Sequence, residues 1–310
     1  MINMKTKNAI YASSIGLLLF FLLSPAVMAQ VLEGTSNTLS LNVGITPEAV
    51  IAAQQREEIK ITLASLGITK VPIYHALIIG VSEYQNAGAG LPNLEMPVKD
   101  AERFYTVLTE KYVFEPQYVT FLKNPTREEI LNQFDRLAET VTEKENVLIF
   151  YAGHGVYDKI KDFGFWLPSD AKPPSRSAWI ANSTIKDYIG AIKSKHTLLV
   201  TDACFGGSIF KTRSAASTIM RFREAYKDKS RKALTSGNLS EVPDNSVFLK
   251  YLLKILEENR DVFLTASTLF TRIYEPILNN AATTPQFGIV QGAGDEGGDF
   301  VFIKKDSVGN

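Results

Sequence analysis

Four short apolar runs, separated by stretches of helical periodicity, constrain the fold of this chain more than any other feature. They cover residues 76–81, 118–122, 147–151 and 197–201. Runs that are continuously apolar, without alternation, are typical of parallel strands covered on both faces. The intervening helical patterns cover residues 97–111, 126–141 and 182–193. This order predicts an α/β fold in which a mostly parallel sheet carries helices on both faces, a three-layer sandwich.

Two of these runs lead directly into a reactive side chain. Run 147–151 continues as Ala152-Gly153-His154-Gly155, and run 197–201 continues as Asp202-Ala203-Cys204-Phe205-Gly206-Gly207. Parallel sheets build their sites where the carboxyl ends of neighbouring strands meet. Cys204 is the only cysteine in 310 residues, and a lone Cys with a His brought beside it is a candidate nucleophile with its base. We therefore expect His154 and Cys204 to lie together at one edge of the sheet.

The chemistry of such a pair assigns a role to each residue. A thiol attacks a carbonyl only as a thiolate, so Cys204 needs a base, and His154 is suited to take its proton and return it to the leaving amine. The developing oxyanion needs two donors, which the backbone N–H groups of Gly155 and Cys204 supply in our interpretation. The alternative is a buried, inert thiol, and the flanking Asp202 argues against it.

The remaining histidines give no sign of a metal site. His75 and His196 each precede a predicted strand, and we interpret both as structural. No HxxxH or HxH spacing is present, and the single Cys has no partner of the kind zinc sites use. The glycine-rich segment 292–298 lacks a following helix and the Lys-Ser/Thr pair of a phosphate-binding loop, which argues against nucleotide binding.

The first 29 residues have the pattern of a secretory signal peptide. Lys5 and Lys7 form a positive start, residues 15–23 form a short apolar core, and small residues precede a cleavage point after Ala29. The apolar core is too short for a comfortable membrane span, so an uncleaved anchor is the weaker alternative. The pattern predicts an exported bacterial protein, periplasmic or secreted, with no stable membrane span after cleavage.

Charge and cysteine use narrow the partners of the exported chain. The sequence has 33 basic and 33 acidic residues, and signal removal takes away two lysines. A nearly neutral chain argues against a nucleic-acid or membrane-surface partner. A single cysteine cannot form an internal disulfide, so its presence in an oxidising compartment needs another reason. The sequence specifies no oligomeric state.

The segments around His154 and Cys204 resemble the two catalytic blocks of the caspase-like peptidases. They are most similar to the bacterial metacaspase-like (orthocaspase) branch, in which the blocks read roughly YxGHG and DxCxSG. The similarity includes the first strand and residues 94–101, continues through 263–267 and covers about 73–305. It implies a caspase-type sheet and a Cys–His endopeptidase. Two segments depart from the pattern, Phe205-Gly206-Gly207 and Glu95-Met96-Pro97.

The resemblance also implies a preference for Arg or Lys before the scissile bond, whereas animal caspases prefer Asp. Asp202 matches the acidic pocket residue of the metacaspase-like branch, and Asp100 matches its second pocket acid. Two carboxylates are suited to hold a guanidinium or ammonium group through charge-assisted hydrogen bonds. The ordinary alternatives are a turn-forming Asp202 and a helix-surface Asp100.

No cofactor is expected. Some metacaspases need calcium, and Asp158 and Asp162 lie near the histidine loop in the sequence. A calcium ion takes six to eight oxygen ligands, so two carboxylates are too few to indicate a calcium site.

The predicted domain order has three parts: the signal peptide 1–29, an N-terminal extension 30–70 with one helix, and a caspase-like peptidase domain 71–305. Both a packing role and a pro-segment role remain open for the extension. Within the peptidase domain, 71–210 is the large-subunit-like part, 211–245 a basic linker and 246–305 the small-subunit-like part. Eight basic and two acidic residues lie between 211 and 232. This segment is either a solvated surface or, in a peptidase that cleaves after basic residues, a self-processing linker.

Two other classes of function compete with an endopeptidase. One is a catalytically silent caspase-fold module that binds a peptide, and the presence of both His154 and Cys204 counts against it. The other is a cysteine amidohydrolase or transferase that uses the same pair on a smaller substrate. The acidic pocket residues and long polar loops favour a peptide or protein substrate.

Overall fold

Strands and helices alternate along the chain in the computed structural model of the protein, which describes residues 53, 57, 59–61, 63–65, 70–88, 90–158, 160–161, 163–203, 209, 222–237 and 245–305. The strands are β1 (Tyr74–Gly80), β2 (Val119–Lys123), β3 (Asn146–Ala152), β4 (Gly155–Asp158), β5 (Phe163–Trp166), β6 (Ile180–Ala181), β7 (His196–Asp202), β8 (Ser230–Thr235), β9 (Phe263–Thr265), β10 (Gln286–Ile289) and β11 (Val301–Ile303). The helices are α1 (Pro97–Lys111), α2 (Arg127–Thr140), α3 (Asn182–Ala191), α4 (Phe222–Lys227), α5 (Val247–Glu258) and α6 (Ala266–Asn280).

Six strands form the central sheet, in the order β10-β8-β7-β3-β1-β2. Neighbouring strands are parallel except for β10, which runs antiparallel to β8. One face of the sheet belongs to a buried apolar cluster with side chains from α1, α5 and α6. The other face belongs to a second cluster with side chains from α2 and α3. This arrangement confirms the predicted three-layer α/β fold.

Helix α1 lies very close to the end of β1 because Gly80 has no side chain. A Cβ at Gly80 would stand 2.8 Å from the Cα of Val98 and 2.9 Å from the Cβ of Ala101. Pro97 opens the helix, where its missing N–H has no intrahelical partner to lose. The close contact holds the first turn of α1, which carries Asp100, beside the carboxyl edge of the sheet.

A second, three-stranded antiparallel sheet follows the histidine, in the order β4-β5-β6. No strand is predicted over residues 156–181, because the strands there are only two to four residues long and carry no sustained alternation. An aromatic side chain anchors the small sheet: Trp166 is fully buried and stacks on Tyr151 with ring centroids 4.3 Å apart. The small sheet is thereby fixed against the end of β3.

The basic segment expected as a linker over 211–245 contains a strand of the central sheet. β8 pairs with β7 on one side and with β10 on the other. Arg231 is only 4 % exposed, and its guanidinium donates to main-chain carbonyl groups. Lys232 forms an ion pair with the buried Asp295. The structure therefore differs from the linker interpretation at 230–235, since two of the eight basic residues are structural; residues 210–221 and 238–244 lie outside the described residues.

Part of the N-terminal extension belongs to the core. The described residues between 53 and 65 are helical, and Ile59 and Leu63, one helical turn apart, are buried in the cluster shared with α1, α5 and α6. This burial gives the end of the extension a packing role. None of the helices among the described residues is long and apolar enough to cross a membrane. The predicted signal peptide, residues 1–29, lies outside the described part of the chain.

Candidate active site

The ends of three neighbouring strands define the candidate site. Ala152 at the end of β3 pairs with Gly80 of β1 on one side and with Asp202 of β7 on the other. The segments that lead to His154 and Cys204 therefore leave the sheet side by side, each two residues beyond this row. This is the carboxyl edge, where open parallel sheets form their binding sites.

Both backbone groups of His154 are held by tyrosine hydroxyls. The N–H donates to the Tyr84 hydroxyl at 2.8 Å, and the carbonyl accepts from the Tyr151 hydroxyl at 2.7 Å. The carbonyl also accepts from the N–H of Leu167 at 3.1 Å, which ties the residue to the small sheet. These contacts fix the main chain from which the imidazole projects.

The imidazole of His154 is held in one orientation. Its Nε2 lies 2.8 Å from the carbonyl oxygen of Pro92. A carbonyl can only accept, so in the neutral ring Nε2 carries the proton and Nδ1 is the basic nitrogen. The ring also packs against Tyr84, with centroids 5.1 Å apart, and the residue is half-buried. A histidine with one nitrogen fixed by a carbonyl and the other presented as a base is the arrangement a nucleophile–base pair requires.

The glycine before His154 is required by both conformation and space. Gly153 has φ of +154°, and a Cβ there would stand 3.1 Å from the Tyr151 hydroxyl and 3.2 Å from the Tyr84 hydroxyl. Any other residue would displace the two hydroxyls that hold His154. This contact explains the Gly-His order of the motif in physical terms.

Asp202 is a buried acid at the same edge. The residue is 6 % exposed, and its Oδ1 has no hydrogen-bond partner among the described residues. Burial, together with the negative charge of Asp100, raises the pKa of its carboxyl to about 6. The hydroxyls of Ser236 and Ser246 act in the opposite direction and lower this pKa. A buried carboxylate with an unsatisfied oxygen is costly unless a cation or donor reaches it.

Three elements meet around Asp202. Asp100 comes from the first turn of α1 and is half-buried, and the structure brings it close enough to Asp202 for the two charges to interact. Ser236 follows β8, and its N–H donates to the Thr201 carbonyl at 3.0 Å. Ser246 is the N-cap of α5, where its hydroxyl accepts from the Leu249 N–H at 3.1 Å. The N-terminus of α5 therefore favours negative charge at Asp202.

Of the two predicted oxyanion donors, the structure describes Gly155 but not Cys204. Gly155 is the first residue of β4, half-buried and paired with Trp166, so its backbone directly follows the fixed His154. Cys204 lies outside the described residues, together with 205–208. Its assigned roles as nucleophile and second donor stay predictions, and the register of β7 is the structural basis for them.

The other histidines lie away from this edge. His75 is in β1 beside Glu145, with its Nε2 3.6 Å from that carboxylate. His196, the first residue of β7, is fully buried with its Nδ1 2.9 Å from the Ser230 hydroxyl, and burial lowers its pKa to about 3. Both are at the amino edge of the sheet, opposite His154.

Of the two carboxylates considered for calcium, the structure describes one. Asp158 forms an ion pair with Arg176 at 2.9 Å and accepts from the N–H groups of Ile160 and Lys161. These contacts lower the pKa of Asp158, in keeping with a charged acid that closes the β4–β5 turn. Asp162 lies outside the described residues. Across the described part of the chain, the side chains of His, Cys, Asp and Glu form no group of three or more that could hold a metal ion.

Four groups at this edge are absent from the sequence-based prediction: the Tyr84 hydroxyl, the Pro92 carbonyl, and the hydroxyls of Ser236 and Ser246. They come from two connections far apart in the chain, β1 to α1 and β8 to α5, and only the fold brings them together. A polar side chain directly after a strand is the one signal that sequence offers for Ser236. A Ser before an apolar helical run is the ordinary signal of an N-cap and says nothing of Asp202.

Comparisons with known proteins place the chain in a family context. A family model described as the caspase domain matches residues 73–287. No curated protein matches the sequence.

Solved structures show the same architecture at low sequence identity. Protein GSU0716 from Geobacter sulfurreducens aligns with a TM-score of 0.52 and 17 % identity, covering 74 % of this chain and 100 % of that one. Caspase-1 from Spodoptera frugiperda aligns with a TM-score of 0.50 and 18 % identity, covering 71 % of this chain and 92 % of that one. At these identities the likeness shows a shared fold.

Proposed function

Because this chain belongs to the caspase-domain family, a family of cysteine peptidases, we propose that it is an exported endopeptidase that cleaves after Arg or Lys. The proposed machinery is a dyad of Cys204 and His154. The observation that carries the basic preference is the pair Asp100 and Asp202 at the edge where His154 is held, with a buried oxygen of Asp202 left without a hydrogen-bond partner among the described residues.

The dyad performs acyl transfer in two stages. His154 accepts the thiol proton of Cys204 at Nδ1, and the thiolate attacks the carbonyl carbon of the scissile bond. The N–H groups of Gly155 and Cys204 bind the oxyanion of the tetrahedral intermediate. The imidazolium then protonates the leaving amine, the C–N bond breaks and an acyl-enzyme remains. Water, deprotonated by His154, attacks the thioester and releases the carboxylic acid and the thiol.

The acidic pair selects the residue before the scissile bond by charge. A guanidinium or ammonium that reaches Asp202 satisfies its unpaired oxygen and relieves the repulsion between the two carboxylates. An aspartate side chain in the same place would add a third negative charge to a buried site, at a cost of several kcal/mol. The pocket therefore favours basic over acidic residues at this position.

Export and self-processing extend the proposal. Export follows from the signal-peptide pattern of residues 1–29. Self-processing would fall before β8, since Arg231 and Lys232 are integrated in the sheet. A pure Cys204→Ala protein that is still cut between residues 211 and 229 would contradict self-processing.

The direct test is hydrolysis of matched fluorogenic peptides that end in Arg, Lys or Asp. Purified residues 30–310 and the Cys204→Ala variant are compared, with and without calcium. The proposal predicts cleavage after Arg or Lys that is lost in the variant. Cleavage after Asp would retain the nucleophile and overturn the acidic pocket. No cleavage of any peptide by the wild-type protein, in either condition, would contradict the peptidase assignment.

A further inference from the structure

We propose that Tyr84 is a positioning residue that fixes the imidazole of His154 for proton exchange, an inference that rests on the proposed function. Tyr84 lies on the loop between β1 and α1, far from both catalytic motifs in sequence. The same loop supplies the carbonyl of Pro92. It therefore controls two separate atoms of His154.

The side chains of Tyr84 and His154 are in direct contact. Tyr84 is 4 % exposed, and its hydroxyl accepts the backbone N–H of His154 at 2.8 Å. The Tyr84 ring lies against the imidazole, with centroids 5.1 Å apart and an angle of 42° between the planes. One residue thus fixes both the main chain and one face of the ring.

The loop that carries Tyr84 is closed by hydrogen bonds within itself. The Tyr84 N–H donates to Oδ1 of Asn93 at 2.9 Å, which ties Tyr84 to the residue after Pro92. The Pro92 carbonyl accepts from Nε2 of His154 at 2.8 Å. Further along, the Leu94 N–H donates to the Ser82 carbonyl at 2.8 Å, so the two ends of the loop are closed on each other. The group that holds the His154 backbone and the group that holds the His154 ring therefore belong to one rigid loop.

An ordinary core role does not account for these contacts. Tyr74 and Tyr112 are buried tyrosines of the usual kind, and each donates its hydroxyl proton to a distant carbonyl at 2.8 Å. The Tyr84 hydroxyl donates to the Val81 carbonyl at 3.4 Å, and it also accepts from the backbone N–H of the proposed base. It also lies where a side chain on Gly153 would collide with it. The glycine before His154 therefore leaves the space that the Tyr84 hydroxyl occupies.

Removal of the hydroxyl has a definite expected effect. Tyr84→Phe keeps the ring but leaves the N–H of His154 without its acceptor, so the loop and imidazole lose their common alignment. Small misalignments of a catalytic group reduce the rate without weakening substrate binding. We expect kcat for an Arg peptide to fall about 10-fold with KM unchanged. We also expect the pH midpoint for alkylation of Cys204 to rise by about one unit, because a misaligned His154 imidazolium stabilises the thiolate less.

The single cysteine makes the test unambiguous. The rate of iodoacetamide alkylation is measured against pH by intact mass for wild type, Tyr84→Phe and Tyr74→Phe. Tyr74→Phe is the matched control, since it removes a buried hydroxyl at the opposite end of β1. The inference predicts a raised midpoint in Tyr84→Phe alone. Equal midpoints in Tyr84→Phe and wild type, or equal shifts in the two variants, would overturn it.

A second variant protects the test against a folding defect. Asn93 is exposed, and Asn93→Ala removes the tie to Tyr84 without touching the core. It should raise the alkylation midpoint in the same direction by a smaller amount, and an unchanged midpoint would count against the inference. A wild-type protein that cleaves no peptide yet shows a lowered midpoint that moves in Tyr84→Phe would reject the proposed substrate while supporting the positioning role.

Discussion

His154 and His196 lie at opposite edges of the same pair of strands, β3 and β7. His196 begins β7 at the amino edge, where it is fully buried and its ring centroid lies 4.6 Å from that of Tyr226. Burial lowers the pKa of His196 to about 3. His154 follows β3 at the carboxyl edge, where it is half-buried and held by Tyr84 and the Pro92 carbonyl. The first is kept neutral inside the core, and the second is partly exposed and held in one orientation at the carboxyl edge.

The acids at the two edges differ in the same way. At the carboxyl edge, Asp202 keeps an oxygen without a hydrogen-bond partner among the described residues and faces a second acid, Asp100. At the amino end of β8, Asp295 accepts from the backbone N–H of Arg231 at 2.8 Å and pairs with Lys232. Of these three acids, Asp202 at the carboxyl edge is the one with a buried oxygen left unpaired, as expected of a site rather than of a structural network.

The largest expected effect separates the two histidines. His154→Ala should lower kcat/KM for an Arg peptide by about 10³-fold, because it removes the base of the dyad. His196→Asn should leave kcat/KM of the folded protein within about twofold and lower its free energy of unfolding by 1–3 kcal/mol, roughly, through lost packing in the core. Peptide hydrolysis and urea unfolding of both variants give the two quantities. Similar losses of activity from both substitutions would remove the distinction between the edges.

The next effect separates two buried aspartates. Asp202→Asn should lower kcat/KM for Arg peptides by about 10²-fold, since the pocket loses its buried charge. The same substitution should raise the free energy of unfolding at pH 8 by up to about 3 kcal/mol, because the carboxylate is costly to bury without a cation.

Asp299 is the matched control for that experiment. It is 1 % exposed and burial raises its pKa as well, but it accepts from the N–H and hydroxyl of Ser267 and from the N–H of Phe300. Asp299→Asn breaks part of this set and should destabilise the protein by about 1–3 kcal/mol. Destabilisation by Asp202→Asn as large as that by Asp299→Asn would argue that Asp202 is an ordinary structural acid.

A smaller effect appears in the pH dependence. The folded-state pKa of Asp202, about 6, is raised above its usual value of 3.8. The native state therefore binds more protons than the unfolded state between these values, so this group contributes stability at low pH that is lost as pH rises from about 4 to 6. Binding of a basic side chain requires the ionised form, so kcat/KM for Arg peptides should fall about 10-fold per unit below pH 6. A profile of Asp202→Asn that retains the wild-type acid limb would assign that limb to another group.

The smallest expected effect on activity is at the amino edge. Arg231 donates to the carbonyls of Ile189, Ile192 and Ser194, with distances of 3.0–3.2 Å. Arg231→Met leaves these buried acceptors unpaired and should lower the free energy of unfolding by about 3 kcal/mol. The kcat/KM of the folded variant should stay within about twofold of wild type. A large loss of kcat/KM without a loss of stability would show that the two edges are coupled.

The fold is predictable from sequence wherever local pattern and final environment agree. The runs that become β1, β3 and β7 are apolar because both faces of those strands are covered, and their order predicts the sheet. Strand β8 is not predicted from the sequence, because Arg231 and Lys232 make this segment resemble a solvent-exposed linker. Their partners, the carbonyls near α3 and Asp295, lie far away in the sequence, and no local window contains them.

The candidate site also has a part that local sequence patterns predict and a part that they do not. The motifs around Gly153 and Asp202 point to a site at the strand ends, and the structure places His154 and Asp202 at one edge with Asp100 beside them. The groups that hold and tune these residues are contributed by loops and a helix cap elsewhere. A hydroxyl such as that of Tyr84 has no local signature, because its role depends on which backbone N–H the fold brings to it.

The most direct test of the central claim is covalent labelling by peptidyl acyloxymethyl ketones that carry Arg or Asp next to the reactive group. Intact mass reports one adduct, and the single cysteine identifies its site as Cys204. The account predicts rapid labelling by the Arg reagent, labelling about 10²-fold slower in Asp202→Asn, and little labelling by the Asp reagent. Equal rates for the two reagents, or an unchanged Arg rate in Asp202→Asn, would contradict it.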